Sequence, residues 1–322
     1  MKKKIIIALA AVLLFVTVSG FAVYKTVFGS IGKVDNENVD IVLPDMEDFE
    51  ADGAANGKEL SPDSVLLEKV PLTSDGKLIN ILLVGQDRRP GEGRQRSDTM
   101  ILCSYNIETN EVSLISFLRD LYVQIPGGYS DNRLNAPYAF GGFLLLYDTF
   151  KENFGITVDG GIEVDFEGFV DLVDLVGGVD IELTQAEAYE VGEDCYAGLN
   201  HLDGHKALNY ARIRVIDSDF GRTNRQRTVL VKLFEKIKSS NPDTLMKLLK
   251  AALSMVTTDM SDAEIMSVAA KLLPKISSLK ISTYAVPGEG DFEYASIRGM
   301  SVLVPDLPAI RNKLETEYLP IN

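Results

Sequence analysis

The sequence predicts an α/β protein whose central mixed β-sheet is flanked by helices. Short apolar runs that end at glycine or polar residues indicate buried strands. Longer segments carry apolar residues at helical spacing and indicate amphipathic helices. Strands and helices alternate along the chain, which favours α/β layers over a bundle of helices. No internal repeat or linker interrupts residues 78–322, so this range is predicted to form one domain.

The individual elements follow from these patterns. Strands are predicted at residues 79–85, 100–105, 111–118, 162–166, 178–183 and 279–286. Helices are predicted at residues 135–154, 167–175, 203–212, 219–238 and 306–317, with two more between 242 and 273. A turn separates the second and third strands, so these two are expected to pair as a hairpin.

Composition limits the classes of function. The chain has 322 residues, of which 46% are hydrophobic, and this is ample for a packed core. Its net charge of -15 argues against nucleic acid as a partner, because binding to phosphate backbones needs a basic surface. Cys103 and Cys195 are too few for a disulfide framework and lack the spacing of metal ligands. A single disulfide between them stays open, but two unrelated free thiols are the favoured interpretation.

The N-terminus predicts a membrane anchor. Residues 1–4 form a basic segment on the cytoplasmic side, and residues 5–24 form an uncharged, mostly apolar run that can cross a bilayer core of about 30 Å. A cleaved signal peptide is the alternative, since Val18-Ser19-Gly20 weakly resembles a cleavage site. The uncleaved anchor is favoured because the apolar run is long. It implies a single-pass protein of the cell membrane, with the following domain on the extracellular face.

Residues 25–77 are predicted to be an acidic extracellular tether. Between Val34 and Lys69 there are 11 Asp and Glu residues and only 2 Lys residues. No helical or strand period runs through this stretch, which is typical of a solvated segment. Such a tether would hold the following domain away from the membrane.

Arginine is concentrated in one part of the chain. Of 13 Arg residues, 11 lie between Arg88 and Arg227, an interval that holds only 2 of the 19 Lys residues. A solvated surface mixes the two cations, whereas a site for phosphate oxygens favours Arg, because its guanidinium group donates two parallel hydrogen bonds. The distribution therefore indicates a site for phosphate groups.

Two aspartates flank a Gly- and Arg-rich loop between predicted strands. Asp87 follows the first strand, and Asp98 precedes the second. If the loop folds back, both carboxylates can face one hard cation such as Mg²⁺, with Mn²⁺ as the alternative, and that cation would also bind phosphate oxygens. The spacing alone also fits N-caps or solvated turn residues.

Two further pairs carry charge near predicted strand ends. Arg119 and Asp120 interrupt an otherwise apolar segment, and an ordinary ion pair at the rim of the sheet explains them too. Arg212 and Arg214 alternate along a stretch that is predicted to be extended, so both side chains would point the same way. Their alternation fits a clamp for an anion, and it fits two exposed arginines as well.

The predicted helix at 219–238 carries a stripe that changes character along its length. Arg222, Arg225 and Gln226 stand near its N-terminal end, where the helix dipole and free amide groups favour anions. Apolar residues are predicted to continue the same face. An amphiphile with an anionic head and an apolar tail would match both halves, although packing in the core also explains the apolar half. The candidate lipid contacts are Val229, Leu230 and Leu233.

Six sequence segments carry a resemblance to a known family. In chain order they are VGQDRRPGEGRQRSDTM, FLRDLYVQIP, NRLNAPYAFGG, VDFEGFVDLVDLVGGVDI, HLDGHKALNYARIR and DSDFGRTNRQR. Together they resemble the LytR-CpsA-Psr family of bacterial cell-envelope enzymes. The matches run from residue 78 to residue 234, and the tail with YAVPG and VLVPD is similar to the end of that domain. An N-terminal anchor and an extracellular tether also belong to the family's usual layout.

The resemblance implies a Mg-dependent phosphotransferase. Such an enzyme takes a glycopolymer, whether teichoic acid, capsular or other secondary wall polysaccharide, from a polyprenyl-diphosphate carrier. It attaches the polymer through a phosphodiester to a peptidoglycan hydroxyl and releases polyprenyl phosphate. The implied partners are the polyprenyl lipid, peptidoglycan and the membrane. The motifs do not indicate which glycopolymer is moved.

The resemblance also implies roles for individual residues. Asp87 and Asp98 match magnesium-binding carboxylates, and Asp219 matches a further acidic active-site residue. The expected catalytic group is Asp98, Arg119 and Asp219. The expected diphosphate-binding residues are Arg119, Arg212, Arg214, Arg222 and Gln226, with Arg96 and Arg225 as adjacent candidates.

The general base, the two histidines and Leu118 each bear on the expected catalytic group. Either Asp98 or Asp219 could act as the general base, and the sequence does not choose between them. His201, in a predicted loop, and His205, in the first turn of a predicted helix, are expected to be solvated or capping residues rather than catalytic ones. Leu118 stands where many relatives have Pro before the Arg–Asp pair, a change expected to affect the backbone rather than the chemistry.

Two other functions fit the same residues. A hydrolase would release polyprenyl phosphate by attack of water, and only an acceptor glycan distinguishes it from a transferase. A non-catalytic lipid-binding envelope protein would not need the two carboxylates that match magnesium ligands. Control of transcription, which the family's older naming suggests, is disfavoured by an acidic domain outside the cell.

Overall fold

The computed structural model describes residues 31–34, 42–43, 57–65, 77–86 and 94–319. Three predictions from the sequence lie outside these residues: the basic segment 1–4, the anchor at 5–24 and Asp87. Within the described ranges, no helix is both long enough and apolar enough to cross a membrane.

The described part of the chain forms fourteen strands and eight α-helices. The strands are β1 Gly32–Lys33, β2 Lys58–Glu59, β3 Leu78–Gln86, β4 Ser97–Asn106, β5 Glu111–Phe117, β6 Tyr122–Val123, β7 Asn132–Arg133, β8 Gly160–Val164, β9 Val179–Leu183, β10 Gly198–Leu202, β11 Thr257–Thr258, β12 Lys280–Val286, β13 Phe292–Ile297 and β14 Met300–Pro305. The helices are α1 Ala136–Phe154, α2 Phe166–Leu175, α3 Gln185–Val191, α4 Gly204–Arg212, α5 Asp219–Lys238, α6 Pro242–Leu253, α7 Asp262–Leu272 and α8 Leu307–Lys313.

A mixed seven-stranded sheet forms the centre of the fold, in the order β1-β11-β8-β3-β4-β5-β12. The pairs β3–β4 and β4–β5 are antiparallel, whereas β3–β8 and β5–β12 are parallel. The predicted hairpin is therefore the β4–β5 pair, and the crossover connections to β8 and β12 contain the helices. The predicted fold class, a central mixed sheet flanked by helices, is confirmed.

The two faces of the sheet bury separate cores because side chains alternate along each strand. On one face, Leu102 and Phe117 pack with Phe150 of α1 and with residues of α8. On the other face, Ile101 and Leu114 pack against α5 and the end of α7. Each large apolar side chain that is fully buried contributes about 1.5–3 kcal/mol, so these two cores hold the sheet between its helices.

A smaller unit stands beside the sheet. Strands β9 and β10 form an antiparallel hairpin, and α2, α3 and α4 pack around it with their own core. The sequence predicted α2, β9 and α4 but missed α3 and β10. Helix α3 has only seven residues and begins at a Thr184–Glu187 capping box, and β10 alternates between exposed and buried residues over five positions. Both are too short for a clear periodic signal.

The β13–β14 hairpin was also missed. Arg298 and Gly299 have φ of 54° and 76° and form its two-residue turn, the backbone shape that matches the twist of a hairpin. Arg is uncommon at such a position, so the turn signal was weak. The hairpin packs on the segment after β5: Leu303 bridges to Leu121, and its amide donates to the carbonyl of Asp120 at 2.8 Å.

Parts of the predicted tether lie on the domain instead of in solvent. Strand β1 pairs with β11, and β2 pairs with β13. Leu60 and Val65 pack against the larger core, and the amide of Val42 donates to the carbonyl of Phe140 at 2.9 Å. These apolar residues are scattered among acidic ones, so their contacts depend on the tertiary structure and leave no local period.

The remaining predictions are close to the structure. Helix α1 covers the predicted range but is kinked at Gly141 and Gly142, whose φ and ψ are not helical. Helix α8 ends at Lys313, and the predicted remainder, Leu314–Tyr318, is a π-helical turn. Cys103 and Cys195 are both free thiols, as favoured from the sequence.

Candidate active site

A cavity of about 730 Å³ opens between the main sheet and helices α2, α4 and α5. Leu83 and Ile101 of the sheet line it, together with Phe169 of α2 and Leu230 and Leu233 of α5. Its charged and polar lining residues include Asp98, Arg212, Arg214, Arg222 and Gln226. The cavity therefore combines an apolar compartment with a cluster of charged groups, as ligand sites for amphiphiles do.

Asp98 is the second residue of β4 and lies beside a register shift between Gly85 and Gln86 of β3. Such bulges commonly re-aim side chains next to functional sites. Oδ1 of Asp98 accepts from Nη1 of Arg119 at 2.8 Å, and Oδ2 accepts from Nη2 of Arg214 at 3.0 Å. Burial alone would raise the pKa of Asp98, but the hydrogen bond and the arginine charges outweigh it and hold the pKa below its usual value.

Arg119 lies two residues beyond β5 and contacts three carboxylates. Besides Asp98, its Nε lies 3.4 Å from Oδ2 of Asp219 and 3.5 Å from Oδ2 of Asp120. Burial opposes the charge on Arg119, but these carboxylates raise its pKa above the usual value. Arg119 thus stays charged and connects the start of β4 to the first turn of α5.

Helix α5 brings Arg222 and Gln226 to the cavity one turn apart. Nη1 of Arg222 lies 2.9 Å from Oδ1 of Asp219. Among the described residues, Nε of Arg222 and Oε1 of Gln226 are buried without a hydrogen-bond partner. Rotation of the Gln226 amide by half a turn would present its two N–H donors at the same position. A ligand rich in acceptor oxygens would satisfy both side chains.

Three arginines converge at this end of the cavity. Burial lowers the pKa of Arg222, and the positive charges of Arg119 and Arg214 lower it further, although Asp219 opposes them. Mutual repulsion of this kind is relieved by an anion with several oxygens, which guanidinium groups bind through paired hydrogen bonds. The N-terminus of the 20-residue helix α5 adds the positive end of its dipole.

Arg212 and Arg214 reach the cavity by a different route from the predicted one. Arg212 is the last residue of α4 and not part of an extended stretch, and the negative end of the helix dipole favours a cation there. Its guanidinium carbon lies 4.3 Å from the centre of the Phe166 ring, in a cation–π contact. Both arginines nevertheless line the cavity.

Arg225 does not line the cavity, which corrects the prediction of a single stripe. It donates to both carboxylate oxygens of Asp217 at 2.7 Å and to the carbonyl of Ile213 at 2.8 Å. Asp217 lies so close to α5 that a Cβ on Gly221 would stand 2.0 Å from its Oδ2. Arg225 therefore fixes the loop between α4 and α5, which carries Arg214.

Two of the three expected lipid contacts line the cavity. Leu230 and Leu233 follow Arg222 and Gln226 along one side of α5. Val229 is fully buried in the core of the smaller unit instead. At 3.6 residues per turn, positions 225 and 229 form a neighbouring stripe, which packs against that unit.

Arg96 and the two histidines are not among the residues that line the cavity. Arg96 packs over the ring of Phe140, 5.7 Å from its centre. His201 lies in strand β10, not in a loop, and its Nδ1 is 2.7 Å from Oδ1 of Asp180 on the neighbouring strand. His205 is in the first turn of α4, as predicted.

The carboxylates present fit a hard cation in donor type. Asp98 offers two oxygens at the charged end of the cavity, and each can accept more than the one arginine hydrogen bond that it has. Strand β3 ends at Gln86, which pairs with Ser97 next to Asp98; Asp87 itself lies outside the described residues. Among the residues that the structure describes, no group of three or more His, Cys, Asp or Glu could hold a metal ion. Carboxylate oxygens are the protein ligands that Mg²⁺ takes, usually one or two of them together with phosphate oxygens and water.

Sequence reasoning missed part of the site. Asp120 was interpreted only as an ion-pair partner, yet burial and the charge of Asp219 raise its pKa to about 6, against the opposing charges of Arg119 and Arg133. A second, smaller cleft contains Asp120 and Tyr294 of the missed hairpin. Alternating residues in β13 and the glycine after Arg298 were the available signals.

An apolar cavity with converging arginines at one end has the chemistry that suits an amphiphile with an anionic head, and comparison with known sequences gives the family. The chain belongs to the LytR_cpsA_psr family, whose profile matches residues 48–316. The resemblance found in the motifs is thereby confirmed.

Relatives of this chain include proteins named polyisoprenyl-teichoic acid–peptidoglycan teichoic acid transferase TagU. The protein of this name from Bacillus mycoides is 32% identical over 238 residues, which cover 73% of this chain and 72% of that protein. The one from Bacillus anthracis is 37% identical over 165 residues, or 51% of this chain and 54% of that protein. This chain thus spans about half the length of several relatives that it matches.

Solved structures share the fold. TagV of B. subtilis superposes with a TM-score of 0.63 at 27% identity, covering 77% of this chain and 100% of TagV. A structure of TagT bound to LIIa-WTA has a TM-score of 0.61 at 26% identity, covering 76% of this chain and 91% of TagT. The α/β fold with a central mixed sheet is therefore that of its family.

Proposed function

We propose that this protein is a phosphotransferase that moves a glycopolymer from a polyprenyl-diphosphate carrier to a hydroxyl group of peptidoglycan. The observation that carries the proposal is the convergence of Arg119, Arg214 and Arg222 around Asp98 at the charged end of an apolar cavity. The names of the TagU relatives supply the substrate class, teichoic acid linked to a polyisoprenyl lipid.

The donor would bind with its two chemical halves in the two parts of the cavity. Its diphosphate would occupy the arginine cluster, where Arg222 Nε and the amide of Gln226 gain hydrogen-bond partners. Its polyprenyl chain would lie along Leu230 and Leu233 and remove their apolar surface from water. Helix α5 then contributes both to the affinity for the lipid and to the orientation of the diphosphate.

Transfer is an in-line displacement at phosphorus. The acceptor hydroxyl oxygen forms a bond to the phosphorus next to the sugar, and the bond from that phosphorus to the bridging oxygen breaks. Polyprenyl phosphate leaves with the electron pair of that bond, and a carboxylate near Arg119 accepts the hydroxyl proton. Arg119, Arg214 and Arg222 stabilise the negative charge that gathers on the phosphate oxygens, which is the largest contribution expected from a preformed site.

A divalent cation belongs to this proposal. Asp98 would hold Mg²⁺ or Mn²⁺, with Asp87 as the second carboxylate from the sequence match. When bound, the cation adds positive charge to the diphosphate and withdraws electrons from the phosphorus. Asp98 stays ionised over the whole physiological range because its pKa lies below the usual value, so it remains available as a ligand.

The proposal also includes the location. The apolar run at residues 5–24 anchors the chain in the cell membrane, and the domain lies on the extracellular face, where peptidoglycan is found. A lipid donor held in the same membrane is then within reach of the cavity.

The full chain in detergent micelles, supplied with Mg²⁺, a polyprenyl-diphosphate-linked saccharide and a peptidoglycan oligosaccharide, tests the proposal. Mass spectrometry should detect a phosphodiester-linked conjugate together with polyprenyl phosphate, and both should disappear on chelation of the metal. Polyprenyl phosphate without conjugate would indicate a hydrolase. Tight lipid binding without either product would indicate a binding protein, and either result would contradict the proposal.

A further inference from the structure

A second cleft of about 200 Å³ lies next to the charged end of the large cavity. It is formed by the segment after β5, the first turn of α5 and the β13–β14 hairpin, and it shares no lining residue with the large cavity. Its volume is below the range of about 300–1,000 Å³ for pockets of drug-sized ligands, so the cleft has room only for a small group such as one sugar ring.

Arg119 connects the two compartments. Its Nη1 contacts Asp98, which lines the large cavity, at 2.8 Å. Its Nε lies 3.4 Å from Asp219 and 3.5 Å from Asp120, and both of these line the cleft. A group in the cleft and a diphosphate in the cavity would therefore both lie beside one guanidinium group.

Aromatic side chains form one wall of the cleft. Tyr294 is 60% exposed although it is large and apolar. Its ring packs edge-on against Phe292 at 5.1 Å, and Phe292 stacks on Phe220 at 5.6 Å. The contact with Phe292 limits the motion of the Tyr294 ring while most of its surface stays open to a ligand.

Carboxylates form another wall. Asp120 and Asp219 supply only acceptor oxygens when ionised, and Oδ1 of Asp120 is buried without a hydrogen-bond partner among the described residues. Nη1 of Arg133 lies 3.7 Å from this oxygen. Hydroxyl donors from a ligand would complete the hydrogen bonding of this wall.

The hairpin is fixed to the same segment. Leu303 of β14 donates its amide to the carbonyl of Asp120 at 2.8 Å and bridges to Leu121. The aromatic wall and the carboxylate wall therefore belong to one rigid arrangement, so a ligand that contacts both is oriented without a large loss of chain entropy.

The geometry points to this cleft as the binding site for the acceptor sugar, with Tyr294 stacked on the ring and Asp120 and Asp219 accepting hydrogen bonds from its hydroxyl groups. A sugar ring has an apolar face of C–H groups and an edge of hydroxyl groups, which matches the two walls. This inference rests on the proposed function, because it places the second substrate of that reaction.

The bonds that form and break in the transfer follow from placing the acceptor sugar in the cleft. The acceptor hydroxyl at the edge of the cleft attacks the sugar-side phosphorus beside Arg119, the new O–P bond forms, and the bond from phosphorus to the bridging oxygen breaks. The proton passes to the Asp120–Asp219 pair, and polyprenyl phosphate leaves on the side of the large cavity. Burial raises the pKa of Asp120 to about 6, which suits a group that takes up a proton near neutral pH.

Kinetics with Tyr294 variants test the inference in the full-length protein. The Tyr294→Ala variant should raise the KM for a peptidoglycan oligosaccharide about tenfold and leave the Kd of the polyprenyl-diphosphate-linked saccharide unchanged. Tyr294→Phe keeps the ring and should stay within about twofold of the wild type. Tyr196→Ala removes a ring of similar exposure, 61%, that lines neither compartment, and it should change neither constant.

The outcomes separate this inference from the proposed function. If the wild type forms conjugate but Tyr294→Ala leaves the acceptor KM unchanged, the cleft does not bind the acceptor and the transferase proposal stands. If the wild type forms no conjugate with any acceptor, the proposed function fails first. If Tyr294→Ala weakens donor and acceptor binding equally and lowers the melting temperature, Tyr294 stabilises the fold instead of binding the acceptor, and the inference is overturned.

Discussion

Arg119 donates from Nη1 to Oδ1 of Asp98 across 2.8 Å, while its Nε stands 3.4 Å from Oδ2 of Asp219. A single guanidinium group thus joins the first residues of β4 to the first turn of α5. The fork of a guanidinium is rigid, so this side chain sets the relative position of two carboxylates as well as supplying charge.

Replacement of Arg119 should abolish most of the transfer activity. We expect Arg119→Ala to reduce kcat about 10²- to 10³-fold, the cost of removing one preorganised donor from a charged transition state. Arg119→Lys keeps the charge but cannot contact both carboxylates, so it should recover only a small part of the rate. Steady-state kinetics give these values. A lysine variant with wild-type activity would show that charge alone matters.

The arginine cluster could be predicted because its signals are local features of the sequence. Arginine enrichment and the order of the motifs pointed to Asp98, Arg119, Arg214 and Arg222, and the apolar runs gave the central strands. What was not visible is the rotation of α5: Arg222 and Arg225 are three positions apart, but only the first faces the cavity. The choice between neighbouring stripes depends on which side of the helix the smaller unit packs against.

The missed elements have a similar explanation. Strand β10 and helix α3 are stabilised by contacts within the smaller unit rather than by strong local propensity. Leu60 and Val65, in the predicted tether, pack against residues far along the chain. Contacts of this kind leave no period in the sequence, so the cleft beside Tyr294 emerged only from the three-dimensional structure.

Loss of Arg222 should weaken ligand binding, whereas loss of Arg225 should destabilise the fold. Arg222→Ala should weaken binding of a polyprenyl-diphosphate saccharide about tenfold or more, because it removes a charge-assisted contact to phosphate. Arg225→Ala removes a buried guanidinium group and its hydrogen bonds to Asp217, whose side chain is 39% exposed, and should lower the free energy of unfolding by about 1–2 kcal/mol. Calorimetric titration and urea unfolding measure the two effects. Equal effects of both variants on unfolding alone would contradict the assignment.

Leu233 and Val229 provide a matched pair on the same helix. Leu233→Gln places a polar group in the cavity and should weaken binding of a long-chain polyprenyl diphosphate while leaving a short-chain analogue unaffected. Val229→Ala removes fully buried methyl groups from the core and should cost about 1–2 kcal/mol of stability with unchanged lipid binding. Competition binding with donors of two chain lengths measures this selectivity. Chain-length selectivity that survives Leu233→Gln would place the lipid elsewhere.

Ionisation of Asp120 should make the free energy of unfolding fall as the pH rises. Burial, with the charge of Asp219, raises its pKa from 3.8 to about 6 in the folded protein, so the folded state holds the proton more tightly than the unfolded state. Its contribution to stability is therefore greatest below about pH 4 and is lost as the pH rises through 6. Urea unfolding across this range should show wild type losing stability relative to Asp120→Asn as pH increases.

The partner of Asp120 supplies the control for that experiment. Asp219→Asn removes the neighbouring negative charge and should move the pH-dependent loss toward lower pH. A difference between wild type and Asp120→Asn that is independent of pH would show that the Asp120 carboxyl titrates normally.

The central claim is that a sugar hydroxyl, not water, attacks the diphosphate held by the arginine cluster. It is tested most directly by running the reaction of the full-length protein in heavy-oxygen water with donor, Mg²⁺ and peptidoglycan oligosaccharide, and reading the isotope content of both products by mass spectrometry. The account predicts a conjugate and a polyprenyl phosphate that carry no heavy oxygen. Release of the saccharide as a free phosphate that carries heavy oxygen, or heavy oxygen in the polyprenyl phosphate, would show attack by water at one phosphorus or the other and contradict the account.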